Sequence, residues 1–339
     1  MRTWILTPAL LVSAFGFVQP ISAQSEAQPL TVQEAAQLLG YSEGDVEKLR
    51  AGEVIAKDLE RLREDQLKAG VAMVIDAPLS SIAQGLKEAR YLRLGSSTLG
   101  FGEVSVPVNE AEWQEVGFTS DEGDEVKELA KAKPGSDLNL SSEEFALLNE
   151  RLGGERDAEA ASAAYRDILI GRLNAYLEKG LAGVADYDRG GGDTSSPAEE
   201  IRTEEQDAAN DLAPRYPEFT DAVTKFPGGQ SENIANRFFW KKVTVEGRPT
   251  FILIHQTIDE GPNYLLVSAR QFFVGHTYNS LQAFTLAVEE DGRTYVFQAN
   301  ATATDQITGF FSGIAKKVGQ PRIRESLTNF FDDAREETP

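Results

Sequence analysis

The residues best suited to chemistry lie in QFFVGHTYNSLQAFTLAV, residues 271–288, which contains one of the two histidines of the chain. Side chains along a strand alternate between its faces, so a single strand here would place on one face His276, Tyr278, Ser280, Gln282 and Phe284. An imidazole titrates near neutral pH and often acts as a general base. This polar stretch is consistent with a catalytic site, the lining of a ligand cavity or hydrogen-bonded core, and a bulge at Gly275 would exchange the faces.

Catalytic motifs are absent from the sequence. Neither GxSxG nor SxxK is present to activate a serine, and no HExxH spacing indicates a zinc site. The second histidine, His255 in FILIHQT, is more typical of a hydrogen-bonded core residue than of a metal ligand. We therefore predict no catalytic residue, metal or cofactor, and leave open a cyclase- or hydrolase-type enzyme that uses His276 with Tyr278.

Composition and charge exclude several classes of function. The chain has 339 residues, no cysteine and a formal net charge of −21, from 54 acidic and 33 basic residues. Without cysteine there is no thiol catalysis, zinc–thiolate site or iron–sulfur cluster. The negative charge opposes binding to nucleic acids or anionic lipid surfaces. The acidic run at 121–125, DEGDE, lacks the spacing of a calcium loop and predicts a solvated turn.

The first residues predict export. MRTWILTPALLVSAFGFVQPISAQ has a positive start at Arg2, an apolar run from Ile5 to Val18 and a small residue, Ala23, suited to cleavage. The run is too short to span a bilayer, and no later stretch is long and apolar enough to do so. We therefore expect residues 1–23 to be a signal peptide cleaved after Ala23, and the mature protein to be periplasmic or secreted.

The remaining sequence divides by pattern into four segments. Residues 24–66 predict a small helical region, with Ser42 as a helix cap, and residues 70–106 predict a β-α-β unit. Residues 107–237 are acidic and mainly helical, with Ser141 or Ser142 as a cap of one helix and Gly180 as the stop of the next, and RGGGDTSSPAEE within them predicts a flexible surface connection. Residues 238–335 are rich in strands, with hairpin turns predicted at Glu246–Arg248 and at 289–292. They end in a helix whose apolar stripe includes Phe310, Phe311, Phe330 and Phe331, with Gly319 and Pro321 expected to kink or interrupt it.

Two parts of the sequence resemble the START-like helix-grip superfamily, which includes polyketide-cyclase-like proteins. VIDAPLSSIAQGL resembles the usual entry of that superfamily, where a strand ends at a small-Pro pair and an apolar helix follows. QFFVGHTYNSLQAFTLAV followed by YVFQANATATDQITGFFSGIAKKVGQ is similar to a pattern in exported bacterial proteins of unassigned function. The likeness covers about residues 70–106 and 238–334, and the helical stretch between them departs from the compact family form.

The resemblance implies an α+β fold in which a curved antiparallel sheet grips a long C-terminal helix. It also implies a helical N-terminal region, a helical insertion or lid at 107–237, and an apolar cavity between sheet and last helix. The expected function is that of a non-catalytic periplasmic binding or carrier protein for a lipid-like or aromatic molecule. The expected ligand-binding residues are His255, His276, Tyr278, Ser280, Gln282, Phe284, Phe310 and Phe311. A cell-envelope interaction factor that binds a partner protein through the helical insertion remains the alternative.

Overall fold

The structure is a computed structural model that describes residues 29–95, 97–153, 157–307 and 312–338, with no side chain described at 312–318 or 323. Its α-helices are α1 (Val32–Leu38), α2 (Glu43–Arg50), α3 (Leu79–Lys87), α4 (Gly123–Leu129), α5 (Ser142–Leu152), α6 (Ala158–Lys179), α7 (Pro197–Leu212), α8 (Pro217–Thr224) and α9 (Ser312–Glu336). Its strands are β1 (Ile55–Asp58), β2 (Gln66–Ile75), β3 (Thr98–Val104), β4 (Tyr187–Gly190), β5 (Asp193–Ser195), β6 (Ile234–Val245), β7 (Arg248–Glu260), β8 (Tyr264–Val274), β9 (Ser280–Glu290) and β10 (Arg293–Ala303). This confirms the α+β class with a long C-terminal helix.

Eight strands form one antiparallel sheet in the order β1-β2-β10-β9-β8-β7-β6-β3. Strands β6 to β10 follow one another through hairpins, and two of the turns are tight because both central residues have positive φ: Glu246 and Gly247 at 51° and 81°, Asp291 and Gly292 at 53° and 74°. Two-residue hairpin turns need this left-handed backbone to match the twist of the strands. The sequence predicted both turns correctly.

In the N-terminal half, several helices begin and end where the sequence predicts. Ser42 caps α2, Ser141 caps α5, and α6 ends at Lys179 with Gly180 as its C-cap. Strand β1 within 24–66 was not predicted, because a four-residue edge strand has too short a pattern to recognise. Residues 189–200 are a correction: the predicted flexible connection instead contains the β4–β5 hairpin and the start of α7, with Pro197 in its first turn.

Residues 271–288 form two strands, so the face predicted for a single strand is wrong. Strand β8 ends at Val274 and β9 begins at Ser280. The connection between them turns at Thr277, which has a φ of 76°, uncommon for a β-branched residue. Asn139 secures this turn, because its Nδ2 donates to the carbonyl oxygens of Val274 at 2.8 Å and Tyr278 at 2.7 Å.

One face of the sheet, here called the α6 face, is covered by α1, α2 and α4–α8. Its cores include Trp113, Tyr176, Phe251, Phe272 and Phe284, all buried. The helices of residues 107–237 therefore pack directly on the strands and supply much of the apolar core there. A lid movement that lifted them from the sheet would expose that core to water.

The opposite face, here called the α9 face, is covered by α3 and α9. Phe331 and Leu327 of α9 pack with Val71, Met73 and Val296 of the strands. Helix α9 approaches closely at Gly319, where an added Cβ would lie 2.9 Å from Leu67 Cδ1. Pro321 does not end the helix, which continues to Glu336, and its side chain is exposed. Phe310 and Phe311 lie outside the described residues.

Candidate functional site

The residues predicted to bind a ligand do not gather beside α9. His255, Ser280, Gln282 and Phe284 lie on the α6 face, where each is buried. Gln282 Nε2 donates to Ser268 Oγ at 2.8 Å, and Phe284 packs in the core under α1 and α8. The alternation along β9 explains this placement, since Ala287 and not Phe284 points to the α9 face. A ligand-binding role for these residues stays a prediction.

His276 and Tyr278 lie in the β8–β9 connection and have separate partners. His276 Nε2 lies 2.6 Å from Thr250 Oγ1 and Nδ1 lies 2.6 Å from Thr277 Oγ1. Burial, assisted by the positive charge of Arg248, lowers the pKa of His276 to about 4. Tyr278 donates its hydroxyl to Gln271 Oε1 at 2.6 Å, and burial raises its pKa. The neutral imidazole is therefore hydrogen-bonded on both nitrogens, and no hydrogen bond joins it to Tyr278.

A buried polar chain crosses the α6 face and joins Glu205, Arg270, Tyr176, His255 and Asn236. Arg270 donates Nε to Glu205 Oε1 at 2.7 Å, and its guanidinium also donates to the Tyr176 hydroxyl oxygen. The Tyr176 proton must then point to His255 Nδ1, 2.7 Å away, which leaves His255 Nε2–H to donate to Asn236 Oδ1 at 2.7 Å. The geometry thus fixes a neutral histidine.

The pKa shifts of these hydrogen-bonded residues agree with a neutral His255. Burial, with a contribution from Arg270, lowers the pKa of His255 well below its usual value. Burial also raises the pKa of Tyr176, so its hydroxyl stays protonated. Burial alone would lower the pKa of Arg270, but the Glu205 carboxylate outweighs it and the pKa is raised. The side chain of Tyr176 further stacks on Phe272, with ring centroids 4.0 Å apart. These hydrogen bonds hold α6 and α7 to the sheet, because Tyr176 lies on α6 and Glu205 on α7.

Helix α7 presents three buried glutamates to the molecule: Glu200, Glu204 and Glu205. Glu204 pairs with Lys68 at 2.8 Å and Glu205 with Arg270. Glu200 accepts hydrogen bonds from Asn279 Nδ2 at 2.8 Å and Ser280 Oγ at 2.6 Å, and no lysine or arginine of the described residues forms an ion pair with it. Burial raises its pKa to about 7 despite those donors, with smaller contributions from Asp65 and Asp305. Glu200 therefore changes charge near neutral pH.

The sequence analysis does not single out these glutamates, because they lie in an acidic, mainly helical segment and, for Glu200, at the end of a predicted flexible connection. A usable signal was present, since Glu200, Glu204 and Glu205 recur at helical spacing beside buried Ile201. Arg189 was also missed, because it lies in the segment predicted to be a flexible surface connection. It donates to Asn139 Oδ1 at 2.8 Å and Asn279 Oδ1 at 2.9 Å, and it ties the β4–β5 hairpin to the β8–β9 connection.

A surface pocket with a volume of about 470 Å³ lies between α4 and the β6–β7 hairpin. Its walls carry Asp121, Asp124 and Glu128, while Glu122 and Glu125 are occupied by Lys242 and Arg248. The acidic run at 121–125 thus lies partly in ion pairs. Within the described ranges, no group of three or more acidic, histidine or cysteine side chains is placed to hold a metal ion.

The second pocket has a volume of about 230 Å³ and lies on the α9 face, between α3 and the sheet. Its apolar walls are Ala83, Leu86, Ala235, Ile258 and Leu265. Lys87 Nζ and Glu260 Oε2 pair at 2.8 Å at its polar edge, and Arg237 Nη1 donates to the Leu86 carbonyl oxygen at 2.5 Å. An apolar pocket therefore opens on the face predicted to hold a ligand, but beside α3.

No protein-family model, curated protein or solved structure matches this chain. In the part of the chain that the structure describes, no helix combines the length and apolar character needed to cross a membrane.

Proposed function

We propose that this protein binds a small apolar molecule, or the apolar group of a larger one, in the pocket between α3 and the α9 face. The observation that carries the proposal is the pocket of about 230 Å³ walled by Ala83, Leu86, Ile258 and Leu265. Small-molecule sites are typically concave and apolar, with a few polar groups at the edge. The pairing of Lys87 with Glu260 supplies such an edge.

The size and mouth of the pocket limit the ligand. About 230 Å³ is below the usual range of drug-sized sites, roughly 300–1,000 Å³, so a short alkyl chain or a single ring fits better than a sterol. The Lys87 and Glu260 side chains are 60% and 44% exposed, and an exposed pair of this kind is worth about 0–1 kcal/mol. A ligand that separates this pair on entering the pocket therefore loses little free energy.

The proposal also covers where the protein acts and how its sheet is shaped. The predicted signal peptide, residues 1–23, supports binding or carriage of the ligand in the periplasm or outside the cell. The resemblance to START-like proteins supports a sheet that curves around α9. In this proposal the protein carries its ligand without reacting with it.

A series of straight-chain alcohols tests the proposal. Binding of 1-butanol through 1-dodecanol, followed by chemical-shift titration of the full chain, should strengthen about three- to fourfold per methylene, because each buried methylene contributes about 0.8 kcal/mol. The gain should stop once the chain fills the pocket. Shifts should concentrate at Leu86, Ile258 and Leu265.

A filling substitution supplies the control. Ala235 is exposed and lines the pocket, so Ala235→Trp should block it and weaken 1-octanol binding at least tenfold. Ala56 is also exposed, on edge strand β1, and lines neither pocket, so Ala56→Trp should leave binding unchanged. Affinity that is independent of chain length, or equal in both variants, would overturn the proposal.

A further inference from the structure

Lys241 occupies an unusual position on β6. Its Cα lies opposite Phe101 on β3 and Ile252 on β7, and its neighbours on the same side of its strand are Phe239 and Val243. Residues directly opposite each other in antiparallel strands share a face, so the lysine projects to the α9 face among apolar and aromatic side chains. It is half-buried.

The ammonium group of Lys241 has no partner among the described residues. Among the buried and half-buried lysines and arginines whose side chains the structure describes, it alone makes neither a hydrogen bond nor an ion pair. The contrast with the next residue is direct. Lys242 points to the α6 face, where Nζ lies 2.5 Å from Glu122 Oε2 and 2.8 Å from the Gly117 carbonyl oxygen.

The surroundings of Lys241 form a small apolar surface with a second cation at its edge. A buried cluster of Phe239, Val243, Ile252, Ile254 and Val274 is flanked by half-buried Leu92, Phe101, Val245 and Tyr278. The guanidinium of Arg93 lies 4.9 Å from the centre of the Phe101 ring and also interacts with the Glu88 carboxylate, which is bound by Gln84 and Arg90. Two cations thus border one aromatic surface.

Glu103 lies on the same face, opposite Phe239, but both of its carboxylate oxygens accept hydrogen bonds from Arg237. Lys241 thus has no carboxylate partner among the described residues of a chain with 54 acidic residues and a net charge of −21. Burial of an unpaired ammonium is unfavourable, and here it lowers the pKa of Lys241 to about 8. An anion bound from outside would restore the charged form and remove that cost. The site therefore has the charge and the apolar surface to bind an amphiphilic anion.

We propose that Lys241 binds the carboxylate of an amphiphilic acid whose apolar body lies against Phe101, Leu92 and Tyr278. A single ammonium suits a singly charged carboxylate, and Arg93 adds a weaker attraction at the exposed edge. This site shares no residue with the pocket between α3 and the sheet, so it does not depend on the function proposed above. A short fatty acid or an aromatic acid has the required chemistry.

Octanoate binding to the full chain at pH 7 tests this site. Octanoate should bind at least tenfold more weakly to Lys241→Met than to the unmodified protein, and Lys241→Arg should retain most of the affinity because it keeps the charge. The matched control is Lys131→Met, which removes an exposed lysine outside both sites. Binding of 1-octanol, which has the same chain without the carboxylate, should not change in any of these variants.

The titration of Lys241 gives a second readout that a purely structural lysine would not show. With lysine side chains labelled with carbon-13 and the Lys241 signal assigned from Lys241→Arg, saturating octanoate should raise the pKa of Lys241 by about 1 or more, which corresponds to about tenfold coupling. Octanoate affinity that is equal in Lys241→Met and Lys131→Met, or a pKa that octanoate leaves unchanged, would overturn the proposal. Loss of 1-octanol binding alone would affect only the pocket beside α3.

Discussion

Arg270 and Lys241, two cations on opposite faces of the sheet, differ in what binds them. On the α6 face, Arg270 is 2% exposed and is held by Glu205, Tyr176 and the Val223 carbonyl oxygen. On the α9 face, Lys241 is half-buried and has no partner in the ranges that the structure describes. Both are set among aromatic rings, so the difference lies in the acceptors that neighbouring elements supply. The comparison separates a buried cation whose hydrogen bonds and ion pair stabilise the fold from a half-buried cation that we propose binds an external anion.

The covering helices explain that difference. Helices α6, α7 and α8 bring Tyr176, Glu205 and Val223 to Arg270. Around Lys241 the covering segment is short, the 3-10 helix at Arg90–Arg93, and it brings Leu92 and a further cation. Because buried charges are normally paired, the unpaired lysine is the better indicator of an external ligand than the elaborate chain on the other face.

The largest expected effect comes from breaking the pair on the α6 face. Glu205→Ala should lower the free energy of unfolding by about 3–5 kcal/mol, because it leaves the Arg270 charge buried and uncompensated. The measurement is urea denaturation at pH 7. The double variant Glu205→Leu with Arg270→Met should recover much of that loss.

An exposed pair on the same helix is the control for this effect. Glu199 is 62% exposed and pairs with Arg202, so Glu199→Ala should cost less than about 0.5 kcal/mol. A similar cost for Glu199→Ala and Glu205→Ala would mean that Arg270 is hydrated, and the contrast between the two faces would fail.

The adjacent lysines of β6 test the comparison within one strand. Lys242→Met should destabilise the protein by about 2–3 kcal/mol, because it strips Glu122 and the Gly117 carbonyl oxygen of their donor. Lys241→Met should stabilise it by about 1 kcal/mol, because it replaces an unpaired ammonium with an apolar side chain. Thermal and urea unfolding at pH 7 measure both. Destabilisation by Lys241→Met would indicate a partner for that lysine in the folded protein.

The sequence predicted features that depend on neighbouring residues and missed those that join distant ones. The turns at Glu246–Gly247 and Asp291–Gly292 and the caps at Ser42 and Ser141 follow from a few adjacent residues. The break between β8 and β9 depends instead on Asn139, which is more than 130 positions away from Val274 and Tyr278. No local pattern reveals such a contact.

The sequence also predicts the candidate binding sites only in part. Alternation along β6 already places Lys241 and Lys242 on opposite faces. Only the folded chain shows that Glu122 binds Lys242 and that no acceptor of the described residues binds Lys241. The sequence also predicted a ligand on the side of the sheet that packs α9. The strand residues that it placed on that side lie on the other one, since Ser280, Gln282 and Phe284 face the helices of the α6 face.

Glu200 predicts a pH dependence of stability. Its pKa is about 7 when folded and 4.5 ordinarily, so the folded state binds more protons between those values. Its contribution to stability is therefore full below about pH 4.5 and is lost as the pH rises through 7. Relative to the unmodified protein, Glu200→Gln should gain about 2 kcal/mol of unfolding free energy between pH 5 and pH 7.5.

The comparison with Glu200→Gln is needed because the histidines act in the other direction. The lowered pKa values of His255 and His276 mean that the unfolded state binds more protons below 6.5, so their contribution falls as the pH falls toward 4. The difference between the two proteins cancels this common background. A difference that stays constant from pH 5 to pH 7.5 would show that Glu200 is solvated and ionised throughout.

The smallest expected effect is at the mouth of the pocket beside α3. Lys87 and Glu260 are paired at 2.8 Å but largely exposed, so a double-mutant cycle with Lys87→Met and Glu260→Gln should give a coupling of about 0.2–1 kcal/mol. Binding of 1-octanol should change less than about twofold in either variant, because the alcohol contacts the apolar walls. A coupling well above 1 kcal/mol would place this pair in the same class as Arg270 and Glu205, and the α9 face would then hold matched charge as firmly as the α6 face.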